Sequence, residues 1–302
     1  DALLQAALGT SPLFWSLDGL KRALGGDGFC SAEEILVADR LAGVFGPCNL
    51  KLGLVLASLS PFLLTVAARR FGVTGWSVAA LALGVVILLA GARASWLVFA
   101  LVLVVSGWQA LGLRRLAGFA AVALVAALAV YAVSPQVQQR VARTAIALQA
   151  DGAGVDQALS GRSRIWAAAT CMASAHPLNG VGVRGFRQAW PECDPASGQA
   201  PAWGEGEAYH AHQLVLELLS ETGIAGLLLW LVAAWLVWRS WRDADAAARA
   251  RARPALLALA ATLFPFNTHL AFYSTFWGGL VLLLAGLYAG ALYGRDQPAQ
   301  AR

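Results

Sequence analysis

Apolar residues in this chain fall into runs of helix-spanning length, divided by short charged clusters and by one long polar stretch. Runs at 50–68, 75–90, 94–111 and 116–133 each approach the ~20 residues that cross a bilayer. Arg69-Arg70 closes the first, Arg114-Arg115 divides the third from the fourth, and Ser134-Pro135 ends the fourth. A polar, Trp- and Gly-rich stretch, 134–211, follows. The pattern then predicts a helix over 212–238, a basic segment 239–253, a short span 254–266 and a last span 275–293. The sixth span is the shortest, and Pro265 should end or kink it, leaving Asn267-Thr268-His269 as a polar mouth. Within the long stretch, 163–174 reads as a short helix stopped by His176-Pro177, with Ile165, Ala169 and Met172 as its apolar stripe. Arg162 and Trp166 share a face if that helix begins one residue early.

The predicted fold is therefore all-α: a polytopic transmembrane helical bundle of about seven spans with a large, partly helical outside loop. Runs of this length are not the two-residue alternation of an outer-membrane barrel. Composition agrees, since 59% hydrophobic and 13% charged residues leave too little polar surface for a soluble domain. The segments are 1–49, a loop or interfacial region; 50–133, four spans; 134–211, the loop; and 212–302, three spans and a tail. The chain begins at Asp1, and further helices are expected to precede it.

Charge sets the orientation. Arg69, Arg70, Arg114, Arg115, Arg239, Arg242, Arg249, Arg251, Arg253, Arg295 and Arg302 all fall on one side of this map, which the positive-inside rule makes cytoplasmic. The loop 134–211 is then outside. Its Arg140, Arg143, Arg162, Arg164, Arg184 and Arg187 oppose the rule, as does Arg93 at the outer end of a span. Long loops cross regardless of charge, but cations held there also suit an anionic ligand. The net charge of +5 follows from the cytoplasmic arginines and implies no nucleic acid.

Candidate chemistry gathers where the loop enters the fifth helix, at Tyr209-His210-Ala211-His212. Gln213, Glu217 and Glu221 ride on that helix's opening turns. A helix over 212–238 is ~40 Å long against a ~30 Å hydrocarbon core, so its first turns should project, keeping both glutamates near the headgroups. Arginine suits phosphate because its planar fork binds two oxygens at once, and histidine supplies a base near neutral pH. The glycine-dense turn 179–186 has N–H groups able to face an anion. Four cysteines without a CxxC pattern offer no metal site. Cys30, Cys48 and Cys193 map outside, where a Cys30–Cys48 bridge is conceivable.

An ordered set of motifs then resembles the O-antigen ligase family, which includes O-antigen polymerases and protein O-oligosaccharyltransferases. It comprises Arg40-Leu-Ala-Gly-Val-Phe-Gly-Pro-Cys-Asn49, Arg93-Ala-Ser-Trp96, Gly161-Arg162-x-x-x-Trp166, His176-Pro-Leu-Asn-Gly-Val-Gly182, His210-Ala-His212 and Glu221-x-Gly223-x-x-Gly226. The likeness spans about residues 40–293. Two departures stand out. The family's Asn after the second histidine is Gln213, which alters a hydrogen bond around the site, and its adjacent Pro-Asn is Pro47-Cys48-Asn49.

The resemblance implies a glycosyltransferase at the periplasmic face of the bacterial inner membrane, moving a glycan from an undecaprenyl-diphosphate donor to a hydroxyl acceptor. In ligases that acceptor is the lipid A-core. The expected mechanism is inverting, without metal or other cofactor. His212 is the expected base, with His210 assisting and Glu221 holding an arginine or histidine. Arg93 and Arg162, then Arg164 and Arg187, are the expected diphosphate ligands. Polymerase, protein transferase and a lipid-linked glycan transporter are the alternatives; a transporter's charges would sit in paired repeats near the midplane rather than at one rim.

Overall fold

The computed structural model describes residue 5 and residues 10–27, 29–30, 41–46, 51–146, 161–199, 207–267 and 270–294. Arg40, the Pro47-Cys48-Asn49 stretch, Thr268, His269, Arg295 and Arg302 lie outside them, as do the side chains of Arg140 and Arg143. The described residues are helical with no strand, and the chain divides into two compact units, 1–149 and 150–302.

The first unit opens with α1, Pro12–Ala23, whose Ser11 hydroxyl caps the Phe14 amide and whose Pro12 sits where a helix needs no N–H donor. A 3-10 turn at Gly43–Phe45 leads into α2, Lys51–Ala90, and then α3, Arg93–Val133. At 40 and 41 residues each would be ~60 Å if straight, twice the hydrocarbon thickness. Both are broken. Gly72 and Gly112 have positive φ of 60° and 72°, which glycine adopts without strain. At each break the chain turns back: a Cβ on Gly75 would lie 2.6 Å from the Ala67 carbonyl, although residues eight apart in a straight helix are ~12 Å apart. The expected spans therefore become 51–71, 73–90, 93–111 and 113–133, with the predicted loop 69–74 reduced to one residue. Arg69 and Arg70 cap the C-terminal end of 51–71, where cations suit the helix dipole.

Close packing fixes these hairpins. A Cβ on Gly53 would lie 2.7 Å from the Ser95 hydroxyl, and Trp96 Nε1 donates to the Ile87 carbonyl across the Gly91 turn at 3.1 Å. The 113–133 half turns Leu124, Val125 and Leu128 outward. So extended an exposed apolar face is the signature of a lipid-facing surface. A short α4, Pro135–Ile146, follows.

The second unit contains α5 (Arg162–Ala175), α6 (Phe186–Cys193), α7 (Leu214–Asp243), α8 (Ala246–Thr262) and α9 (Thr275–Tyr293). Helix α5 matches its sequence expectation: it starts at Arg162, ends with His176 as its C-cap and buries Ile165, Ala169 and Met172. These join Ala168, Phe186, Trp190, Ala208 and Ala211 in one apolar core. Cys171 on α5 and Cys193 at the end of α6 form a disulfide, a pairing the spacing did not indicate. Cys30 is also disulfide-bonded, whereas Cys48 lies outside the described residues.

Helix α7 departs from the single ~40 Å helix expected over 212–238. It begins at Leu214 and breaks at Gly223, where φ is 64°. The segment 224–243 is ~30 Å long by itself, one hydrocarbon thickness, so the break separates a polar opening segment from the span. Helix α8 starts eight residues before the expected 254–266 span and carries Arg249, Arg251 and Arg253 in its first half. Arg249 reaches back to the Trp241 carbonyl near the end of α7, and Arg251 donates to the Ala291 and Gly294 carbonyls at the end of α9. The basic segment thus closes helix ends, where cations are favourable.

Candidate functional site

Two backbone segments interlock to build the site in the second unit. At the α7 break, the Ile224 and Ala225 amides lack helical partners and donate instead to the Pro177 and Leu178 carbonyls, at 2.8 and 3.1 Å. In return, the Val181 and Gly182 amides donate to the Ser220 and Glu221 carbonyls, at 2.8 and 3.0 Å. So close a crossing admits no side chain at two points. A Cβ on Gly180 would lie 2.4 Å from the Glu221 carbonyl carbon, and one on Gly223 would lie 2.4 Å from that of Leu178. The motifs 176–182 and 221–226, separate in sequence, are two halves of one clasp.

The clasp takes up five of the amides in the glycine turn that could have faced an anion. The amides of Gly180, Val181, Gly182 and Gly185 donate to carbonyls of this chain, and that of Arg184 donates to the Glu221 carboxylate. The Val181, Gly182 and Arg184 amides thus hold α7, and those of Gly180 and Gly185 close the turn itself. Arg184 is left-handed (φ 62°), as is His212 (φ 54°), and these are the non-glycine residues of positive φ among those described. Such backbones carry strain and persist where the surroundings hold them. Both lie at this site.

Buried alanines position the histidines. Ala208 and Ala211 belong to the apolar core formed with α5 and α6 and anchor the irregular segment 207–213. His210 and His212 flank Ala211 and bring their rings to 3.9 Å between centroids, tilted by 44°. His210 Nδ1 accepts the His212 amide at 3.2 Å. Gln213 caps α7, its side-chain oxygen accepting the Leu216 amide at 2.6 Å. The residue that departs from the family pattern thus satisfies a helix end directly behind His212.

Both glutamates are buried rather than set near the headgroups, Glu217 at 1% and Glu221 at 2% exposure. The clasp folds the opening segment inward instead of letting it project. Glu221 holds Arg184 through its main-chain amide, not a guanidinium as anticipated. Thr222 and the Tyr273 hydroxyl share a 2.7 Å hydrogen bond, tying the segment before α9 to the same helix. Burial raises the pKa of that tyrosine.

The expected phosphate ligands fare differently. Arg162 is the first residue of α5 and half-buried. Arg187, on α6, lies with its guanidinium 4.4 Å from the Tyr209 ring centroid, one residue from His210. Arg93 is the first residue of α3, in the other unit. Arg164 is engaged by protein: it grips Asp194 with two nitrogens, at 2.7 and 2.6 Å, and donates to the Ala196 and Gln199 carbonyls. That bidentate grip holds the Asp194 carboxyl below the usual carboxylate range. Arg164 thus pins the turn after α6 to α5. Among the described residues, no group of three or more His, Cys, Asp and Glu side chains is arranged to hold a metal.

Fold and site together define an integral membrane protein, all-helical, with a polar histidine- and arginine-bearing site at the head of a broken helix. The model of the O-antigen ligase family matches residues 78–231, more than half of the sequence, and the chain belongs to that family of ligase- and polymerase-type glycosyltransferases. A search of curated proteins found no match.

Proposed function

We propose that the protein transfers a glycan from an undecaprenyl-diphosphate donor to a hydroxyl of the lipid A-core, at the periplasmic face of the bacterial inner membrane. The acceptor oxygen attacks the anomeric carbon as the bond to the diphosphate oxygen breaks, so configuration inverts and undecaprenyl diphosphate leaves with the electron pair. His212 takes the acceptor proton. His210 orients it, and Glu221 holds the Arg184 turn. Arg162 and Arg187 are assigned the diphosphate, a role divalent metal fills in many other transferases. Arg164 leaves that set because its fork is taken by Asp194.

The observation that carries this reading is the tilted histidine pair, with His212 held left-handed against a capped helix start. The Cys171–Cys193 disulfide supports the orientation, since disulfides persist on the oxidising side of the membrane. The test is genetic and biochemical together. Deletion should leave lipid A-core uncapped while lipid-linked polymer of normal length accumulates, and purified protein should join the two in excess chelator. Short, unpolymerised lipid-linked chains in the deletion would point to a polymerase, and unmodified glycoprotein to a protein transferase. An absolute need for added magnesium or manganese would overturn the arginine assignment.

A further inference from the structure

We propose that Glu217 is a positioning residue of the reaction: its buried carboxyl group faces His210 and balances the positive charge that the histidine pair takes up during transfer. The proposal rests on His212 being the base.

Glu217 lies on the first turn of α7 and is 1% exposed. Its Oε1 accepts the Tyr273 amide at 3.3 Å. Its Oε2 is buried, has no hydrogen-bond partner, and lies 3.8 Å from His210 Nδ1. A buried carboxylate oxygen left unsatisfied is destabilising and rare in folded proteins. Burial, and then the like charge of Glu221, push its pKa up to about 8, so Glu217 ionises readily only when a cation stands beside it.

The groups around it define that use. From its own helix Glu221 faces it one turn away, a like charge. From the segment before α9 comes Tyr273, whose hydroxyl bonds Thr222; from the 207–213 segment come His210 and His212; the Arg184 amide sits on Glu221. Among the described residues, the ion-pair partner of Glu217 is His210. In the neutral His210 ring, Nδ1 accepts the His212 amide, so the ring proton belongs on Nε2.

When the acceptor proton moves to His212, an imidazolium forms 3.9 Å from the His210 ring. Without a nearby anion that charge would be poorly solvated in so enclosed a place. Glu217 supplies the anion as a field across the intervening ring, since Nδ1 of the neutral His210 carries no proton to donate to it. The proton itself does not pass to Glu217. It rests on His212 and returns to water after the diphosphate departs.

The test uses the full protein in nanodiscs, with lipid-linked oligosaccharide purified from cells lacking this gene and purified lipid A-core. In Glu217→Gln the amide keeps the Tyr273 contact and loses the charge. Single-turnover transfer should fall about 10- to 100-fold with donor binding unchanged, and the histidine limb of its pH–rate profile should move about one unit to lower pH, the shift expected on removing an opposite charge within 4–6 Å. Glu217→Asp, which keeps the charge, should leave that limb in place. If Glu217→Gln does not fold, His210→Asn takes over, since loss of the intervening ring should displace the same limb. A limb unmoved in whichever of these two folds overturns the proposal, as does loss of donor binding in step with turnover. Failure of the parent reading looks different: His212→Ala would then keep wild-type turnover.

Discussion

Replacing Gly223 with alanine should damage stability and activity together, because two backbones meet there without room for a methyl group. The new Cβ would lie 2.4 Å from the Leu178 carbonyl carbon and 2.5 Å from the Asn179 nitrogen, where Cβ contacts under 3.0 Å essentially never occur. Neither obstacle is a side chain that can turn away. The 176–182 segment must therefore retreat by about 1 Å, which loosens the Ile224 and Ala225 hydrogen bonds to Pro177 and Leu178. Alanine in the left-handed region adds about 1–2 kcal/mol, and two weakened backbone bonds about 0.5–1.5 kcal/mol each. The sum, about 2–5 kcal/mol, is a large share of a typical folding free energy. Thermal unfolding in detergent should show an apparent Tm lower by about 10 °C. Transfer should fall by at least about 10²-fold, since an ångström of displacement at Glu221 disturbs reacting geometry. Gly286→Ala on α9 is the control: apart from its own helix backbone nothing lies within 4 Å of that Cβ, and no loss is expected. Wild-type Tm and turnover in Gly223→Ala would refute the clasp.

Asp194 has its pKa lowered, so the stability from its pairing with Arg164 is present above the ordinary aspartate value near 3.8 and is lost as pH falls through the depressed one; Asp194→Asn should cost about 3 kcal/mol at neutral pH and flatten that acid limb in thermal melts. Reducing Cys171–Cys193, which closes a loop of sequence separation 22, should lower stability by about 3 kcal/mol, read as a lower Tm in reductant; no change would mean the α5–α6 pair holds without its crosslink. His212→Ala should keep donor binding and lose about 10²–10⁴ in single-turnover rate, whereas Arg162→Ala should weaken binding as well and be poorly rescued by lysine. Ser197→Cys in intact spheroplasts should react with a membrane-impermeant thiol reagent, and silence there would reverse the topology.

The spans were legible because a bilayer imposes one length and one composition, so apolar runs in 51–133 and 275–293 had a single physical use. Helix α5 was legible for a different reason: an i, i+4 pair and an apolar stripe specify a face without further context. The break in α7 was not. A glycine inside an apolar run is tolerated in membrane helices, and nothing local separates Gly223, which bends its helix, from Gly226 or Gly286, which do not. Gly223 matters because Leu178 and Asn179 cross it, and that contact joins residues more than forty positions apart.

The same reasoning explains why the histidines stood out as candidates in the sequence and their surroundings did not. His210 and His212 announce themselves by residue type at a boundary, where a titratable ring has few bland uses. Arg164 announced itself equally, and only the position of Asp194, thirty residues on, withdraws it from the phosphate set. Glu217 was read as a solvated headgroup contact because a continuous helix would have carried it outward. Once the clasp bends the helix at Gly223, the same carboxylate turns into the protein and faces His210. One backbone break therefore decides whether the acidic residues of this segment face water or face the histidine pair, which is why substitution at Gly180 or Gly223 should resemble an active-site lesion although neither residue has a side chain to offer.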